Sequence, residues 1–181
     1  MRKVYEYSHL GGSQILQVDF PEINAEIDEV IASIGGLTKT KLSREKTMRG
    51  RRLYSPRELN RRFRDEFRSR GFHELRDTYT VRIPDYPVQI PGAYKQIDFV
   101  KESVLVEVQF GKYAFMFYDV AKFQYFSNER QADVGVEIVP SHGLKCQMST
   151  GVSYGEQLVY DIERLRRHFP AVPIKVILID T

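Results

Sequence analysis

The chain has a single cysteine, Cys146. One thiol cannot close an internal disulfide or build a thiolate metal cage, and a reducing, cytoplasmic setting fits. Long hydrophobic runs are missing too. Runs such as Val104–Val106 and Val176–Ile179 are far short of the roughly 20 residues a membrane-spanning helix needs. No apolar stretch follows the opening Met-Arg-Lys-Val-Tyr-Glu, so nothing marks the chain for secretion. There is no internal repeat and no low-complexity tract. What is present, 42% hydrophobic and 28% charged residues over 181 positions, is the make-up of one globular domain spanning 1–181.

Charge is unevenly spread. Residues 39–76 hold 14 Lys and Arg against 5 Asp and Glu, a net of +9, while the remainder carries 13 against 19. Such a segment suits a polyanionic partner, nucleic acid above all, though a solvated basic helix with its loop has the same composition.

The pattern of elements follows from periodicity and punctuation. Asp19-Phe20-Pro21 opens a helix whose Ile23, Ile27, Val30, Ile31 and Ile34 repeat at helical spacing until Gly35-Gly36. Lys39–Arg52 is basic and without period, a loop. Ser55-Pro56-Arg57-Glu58 is a capping box with proline at the first helical position, leading into the stripe Leu59, Phe63, Phe67. Strands are expected at Tyr79–Ile83, Gln96–Val100, Val104–Phe110, Val134–Val139 and Ile174–Ile179. Helices are expected at Ala114–Asn128 and Gly155–His168, and loops at Asp85–Gly92 and Ser141–Ser153. A hairpin followed by helix, strand, helix and strand needs both antiparallel pairing and a parallel crossover. The fold class is therefore α/β, a mixed central sheet flanked by helices.

The strand Val104-Leu105-Val106-Glu107-Val108-Gln109-Phe110 carries the chemistry. Alternation puts Val104, Val106, Val108 and Phe110 on one face and Leu105, Glu107 and Gln109 on the other. Glu107 then sits mid-strand in an apolar run, where an unpaired carboxylate costs several kcal/mol. Asp98, across the tight turn Lys101-Glu102-Ser103, brings a second acid to the same hairpin. Two adjacent carboxylates repel unless one is protonated or a cation lies between them, and a hard divalent ion is one solution. An arginine partner for Glu107, or a solvated sheet face, is the other.

Ile97-Asp98, eight residues, then Glu107-Val108-Gln109 resembles the PD-(D/E)xK nuclease core, with Ile97 replacing its proline and Gln109 its lysine. Further matches run through the chain: Tyr7-Ser8-His9-Leu10, Leu53-Tyr54-Ser55-Pro56, Asp98-Phe99-Val100-Lys101, Glu107 to Tyr113, Asp133 to Ile138, and Ala171-Val172-Pro173. Together they are similar to the type II restriction endonucleases of the BglII/BstYI kind. The resemblance implies a restriction-endonuclease-like core and a homodimer that cuts palindromic double-stranded DNA with Mg²⁺. It implies that Asp98, Glu107 and the carbonyl of Val108 hold the ion, and that Asp98, Glu107 and Gln109 are catalytic. An amide orients water but is no general base, so the ion has to supply most of the nucleophile's activation.

The resemblance also implies DNA contacts. Lys112 falls at a base-reading position, where lysine donates to guanine O6 or N7, or else to a phosphate. Ser149, Thr150 and Ser153 fall in a loop that enters the major groove, although Ser153 also suits a cap for the next helix. Asn60 matches an asparagine of the family and is a candidate to touch the site through water or to contact DNA, and it reads equally as an exposed helix amide. Glu66 is expected to pair with Arg62 or Arg70. His142 takes no role. The aromatic helix Ala114–Asn128 is the expected dimer surface. By resemblance the DNA site has a GATC centre, purine outside it on one side and pyrimidine on the other, and cutting leaves 5′ overhangs. The rival readings are a structure-selective repair or resolving nuclease of the same superfamily and a catalytically inactive DNA-binding module. An RNA-binding protein would need a stacking platform that the sequence does not present.

Overall fold

The computed structural model describes all 181 residues. Eight strands and six helices follow one another as β1 (Arg2–His9), α1 (Gly12–Val18), α2 (Pro21–Ser33), β2 (Lys41–Leu42), β3 (Arg52–Leu53), α3 (Pro56–Ser69), β4 (His73–Val81), β5 (Ile90–Lys101), β6 (Val104–Val108), α4 (Tyr113–Asn128), β7 (Val134–Pro140), α5 (His142–Lys145), α6 (Gly155–Leu165) and β8 (Ile174–Asp180). Six strands form one sheet in the order β1-β8-β7-β6-β5-β4. β6, β7 and β8 run parallel, while β1, β5 and β4 pair antiparallel with their neighbours. The expected mixed α/β sheet is thus the observed one.

Both sheet faces are covered, which is why β6 and β7 are buried along their whole length. Val104, Val106 and Val108 pack with Phe63 and Phe67 of α3 and with Ile27 and Ile31 of α2. Leu105 packs on the other face with Val120, Phe123 and Phe126 of α4 and Leu158 and Ile162 of α6. The alternation read from the sequence therefore sorts these side chains to opposite layers.

Ser55 caps α3, its hydroxyl accepting from the Glu58 amide at 3.4 Å. The reciprocal half of the capping box is not made: Glu58 pairs with Arg61 and Arg62 instead. Of the two partners expected for Glu66, Arg70 is the one found, at 2.6 Å. The N-terminal β1 and α1 had no counterpart in the sequence reading. β1 is a sheet edge whose Val4 and Tyr5 face outward, so it lacks an apolar alternation. α1 reaches the sheet through Gly12, where a Cβ would lie 2.4 Å from the Ile174 carbonyl carbon.

Further boundaries differ from expectation: β4 spans His73–Val81 where Tyr79–Ile83 was expected, and β6 stops at Val108, short of Phe110. The stretch 39–52 is not a plain loop, because Lys41–Leu42 and Arg52–Leu53 pair as a small separate hairpin. α5 interrupts the loop 141–153, capped by the Ser141 hydroxyl. The hairpin arm is longer than expected: β5 begins at Ile90, and only Phe99–Lys101 pair with β6. Before Phe99, β5 pairs with β4 alone, as a two-stranded ribbon.

Candidate active site

Asp98 stands where the ribbon leaves the sheet, one step beyond the paired residues Phe99 and Val106. The same antiparallel register puts it opposite Glu107. Asp98 is exposed, and it lines a cleft of about 380 Å³ with Tyr94, Lys95, Gln96, Tyr118 and Lys122. Glu107 is buried behind that cleft, its side chain 4% exposed. The two acids thus meet as expected, one wet and one dry.

The partner of Glu107 is a lysine, not an arginine. Lys122, two turns into α4, places its ammonium 2.5 Å from Glu107 Oε1, 2.8 Å from Asp119 Oδ1 and 3.0 Å from the Gln96 carbonyl. Asp119 in turn accepts from Gln109 Nε2 at 2.8 Å. Glu107, Lys122, Asp119 and Gln109 form one connected chain of contacts. The Gln109 amide oxygen lies against Gly111, where a Cβ would come within 2.5 Å of it. Glycine at 111 is what allows this orientation.

Glu137 is a further acid on the same face. It pairs in register with Glu107 on the parallel strand β7, is fully buried, and neither carboxylate oxygen has a hydrogen-bond partner. Sequence reasoning missed Asp119, Lys122 and Glu137. The signal for Glu137 was the one that marked Glu107, a lone acid in an apolar strand. For the helix it was an acid and a lysine at i,i+3 among aromatics.

Lys122 thus pairs with two of four neighbouring carboxylates, Glu107 and Asp119, while Asp98 and Glu137 add to the negative field. Burial pushes Glu107 and Asp119 above the ordinary carboxylate range against the pull of Lys122, and it pushes Glu137 well above that range. Lys122 is shifted up as well, but by its charged neighbours and not by burial. Burial opposes its charge, but Glu107 and Asp119 outweigh burial and hold it protonated. The negative charge can be relieved only by protons or by more positive charge, which suits a hard, oxygen-seeking cation. No three of the acids converge into a ready-made cage. An ion here would fill its shell with water and substrate oxygens, as Mg²⁺ commonly does.

The remaining sequence candidates lie apart from this pair. Lys112 is exposed at the N-cap of α4. Ser153 is brought beside it, because the Ser153 amide donates to the Gly111 carbonyl at 2.9 Å. Ser153 does not cap α6, whose N-cap is Tyr154 with no side-chain bond. Ser149 bonds Lys41, and the Thr150 amide donates to Glu45 at 3.1 Å, so this loop packs against the basic hairpin. Asn60 is separate from the two acids. It lines a cleft of about 760 Å³ with Thr40, Arg57, Arg61 and Arg64, and its buried carbonyl oxygen is unpartnered.

Comparison with known proteins follows this geometry. A family profile described as restriction endonuclease BglII/BglIII matches residues 4–179. The crystal structure of restriction endonuclease BglII complexed with a DNA 16-mer superposes with a TM-score of 0.75 at 21% identity, covering 97% of this chain and 76% of that one. The structure of free BglII gives a TM-score of 0.68 at 19% identity, covering 98% and 79%. No curated protein matches the chain in sequence. No helix is long and apolar enough to cross a membrane. A profile match spanning nearly every residue, on this fold, places the chain in the BglII/BglIII restriction endonuclease family, type II enzymes that cut DNA at specific sites.

Proposed function

We propose that this endonuclease is a homodimer that hydrolyses double-stranded DNA with Mg²⁺ at purine-GATC-pyrimidine, leaving 5′ overhangs. The observation that carries the catalytic part is the excess of carboxylate around Asp98 and Glu107, where Lys122 is the cation bonded to an acid. Asp98, Glu107 and the Val108 carbonyl would hold the ion, a PD-(D/E)xK arrangement with Gln109 in the lysine place. Bound there, Mg²⁺ would relieve charge on the phosphate and lower the pKa of water.

The chain's own groups do the rest. Asp119 fixes the Gln109 amide nitrogen, which leaves its oxygen to accept from a water in line with the phosphate. Burial of Glu107 excludes bulk solvent from one side of the site. Residues 1–181 act as one domain, with 39–76 facing the DNA backbone through Arg44, Arg49, Arg57, Arg61 and Arg64, side chains that line two open clefts. Asn60, in the second of these, would contact DNA or a bridging water.

Lys112 would read guanine in the major groove, with Ser149, Thr150 and Ser153 beside it. N7 is common to both purines, so a hydroxyl donating to N7 accepts either at the outer pair. A palindrome asks for a two-fold dimer with one half-site per protomer. α4 offers a face for it: Phe115 is 54% exposed, whereas Phe123 and Phe126 are spent on the core.

A digest of a sequenced plasmid with Mg²⁺, followed by end-mapping, tests the whole reading. Ends at purine-GATC-pyrimidine support it, and ends lacking GATC refute the specificity while leaving the nuclease in place. Light scattering should give about twice 21.1 kDa, and a species that stays monomeric on palindromic DNA sinks the dimer.

A further inference from the structure

Lys122 has three donors, and all three are used: Glu107, Asp119 and the Gln96 carbonyl. It is also the one residue lining the Asp98 cleft that hydrogen-bonds Glu107. A cation approaching Glu107 from the cleft therefore comes close to Lys122, and competes with it for the same carboxylate. Like charges so close repel, and the low-dielectric floor of the cleft strengthens that repulsion. Lys122 has somewhere to go, since Asp119 and the Gln96 carbonyl remain as partners once Glu107 is released. Its hold on Asp119 also steadies Gln109, which bonds the same carboxylate.

We propose that Lys122 is a positioning residue of the cleavage reaction, competing with the divalent ion for Glu107 and anchoring Gln109 through Asp119. This rests on the ion site proposed above. The two roles have opposite signs. Removing the ammonium frees Glu107 for the ion, so the ion binds more tightly. It also loosens the Asp119–Gln109 pair, so cutting slows. A side chain needed only for folding would weaken both.

The test is calorimetric titration of the DNA-free protein with Mn²⁺, alongside single-turnover cleavage. Lys122→Met should bind Mn²⁺ at least tenfold more tightly than wild type and cut at least tenfold more slowly. Lys122→Arg, which keeps the charge, should bind Mn²⁺ within about threefold of wild type. If Lys122→Met does not fold by circular dichroism, Lys122→Gln makes the same Mn²⁺ comparison, because an amide removes the charge. Unchanged or weaker Mn²⁺ binding in the neutral variants overturns the proposal, as does Lys122→Arg binding as tightly as they do. Asp98→Ala separates the two levels of inference. Mn²⁺ binding should fall in that variant, and if it does not, the ion site is misplaced and the role of Lys122 in it fails as well.

Discussion

Glu137 lies beside Glu107 on the neighbouring parallel strand, fully buried and with both oxygens unpartnered. No lysine or arginine bonds it, and the nearby Lys122 is spent on Glu107 and Asp119. Two acids at adjacent register positions in a sheet interior are unfavourable for folding when both are ionised, so the pair exists at a cost in stability.

That cost has a pH signature. Burial first, then Asp119 and Glu107, raise the Glu137 carboxyl well above its ordinary 4.5. Above that value the unfolded chain releases a proton that the folded chain keeps, so stability falls as pH rises toward the folded pKa. Glu137→Gln removes this dependence. The melting temperature of the variant should exceed wild type by a few degrees at pH 8, about 1–3 kcal/mol, and by much less at pH 4.5. Thermal melts in buffers without divalent ions decide it, and a gap that does not change with pH would exclude the buried charge as its cause.

Asp98→Ala and Glu107→Ala should each lower the cleavage rate roughly a hundredfold or more, as expected when a metal ligand is removed. Single-turnover assays with Mg²⁺ are the check. Wild-type cutting by Glu107→Ala would put the chemistry elsewhere in the fold.

Gly111→Ala should slow cleavage roughly ten- to hundredfold with little change in melting temperature. The added methyl meets the Gln109 amide oxygen at 2.5 Å and displaces a flexible side chain, not the backbone. Gln109→Lys should be less harmful than Gln109→Ala, because an ammonium can still bond Asp119. A large loss of stability in Gly111→Ala would show that the contact is part of the core.

Lys112→Ala should cost about 1–3 kcal/mol of discrimination at one base pair. Binding assays across substituted palindromes distinguish the alternatives. A phosphate contact weakens every sequence alike and reduces the salt dependence, whereas a base contact relaxes one position only.

How much of this was legible beforehand depended on locality. α2 and α3 were readable because their stripes and caps lie within a few turns of sequence. Glu107 was readable because an acid inside an apolar strand is anomalous wherever that strand packs. Its partner was not, since Lys122 is 15 residues away and only the packing of α4 on the sheet brings it in. Arginine, one of the alternatives to an ion, is not the partner found, for the same reason. β1 escaped notice because an outward-facing edge strand has no alternation to show, and α1 because Gly12 contributes a close approach rather than a side chain. Lys41–Leu42 and Arg52–Leu53 are too short to carry a period at all.

The two-stranded ribbon has a mechanical consequence. Glu107 is held in register by β7 inside the buried sheet, but Asp98 sits at the root of an arm whose only neighbour is β4. A ribbon flexes and twists more readily than the sheet it springs from. The span between the two acids is accordingly set by the bend of the arm at a single joint, so that a load anywhere along residues 73–98 acts as a lever on the aperture of the cleft.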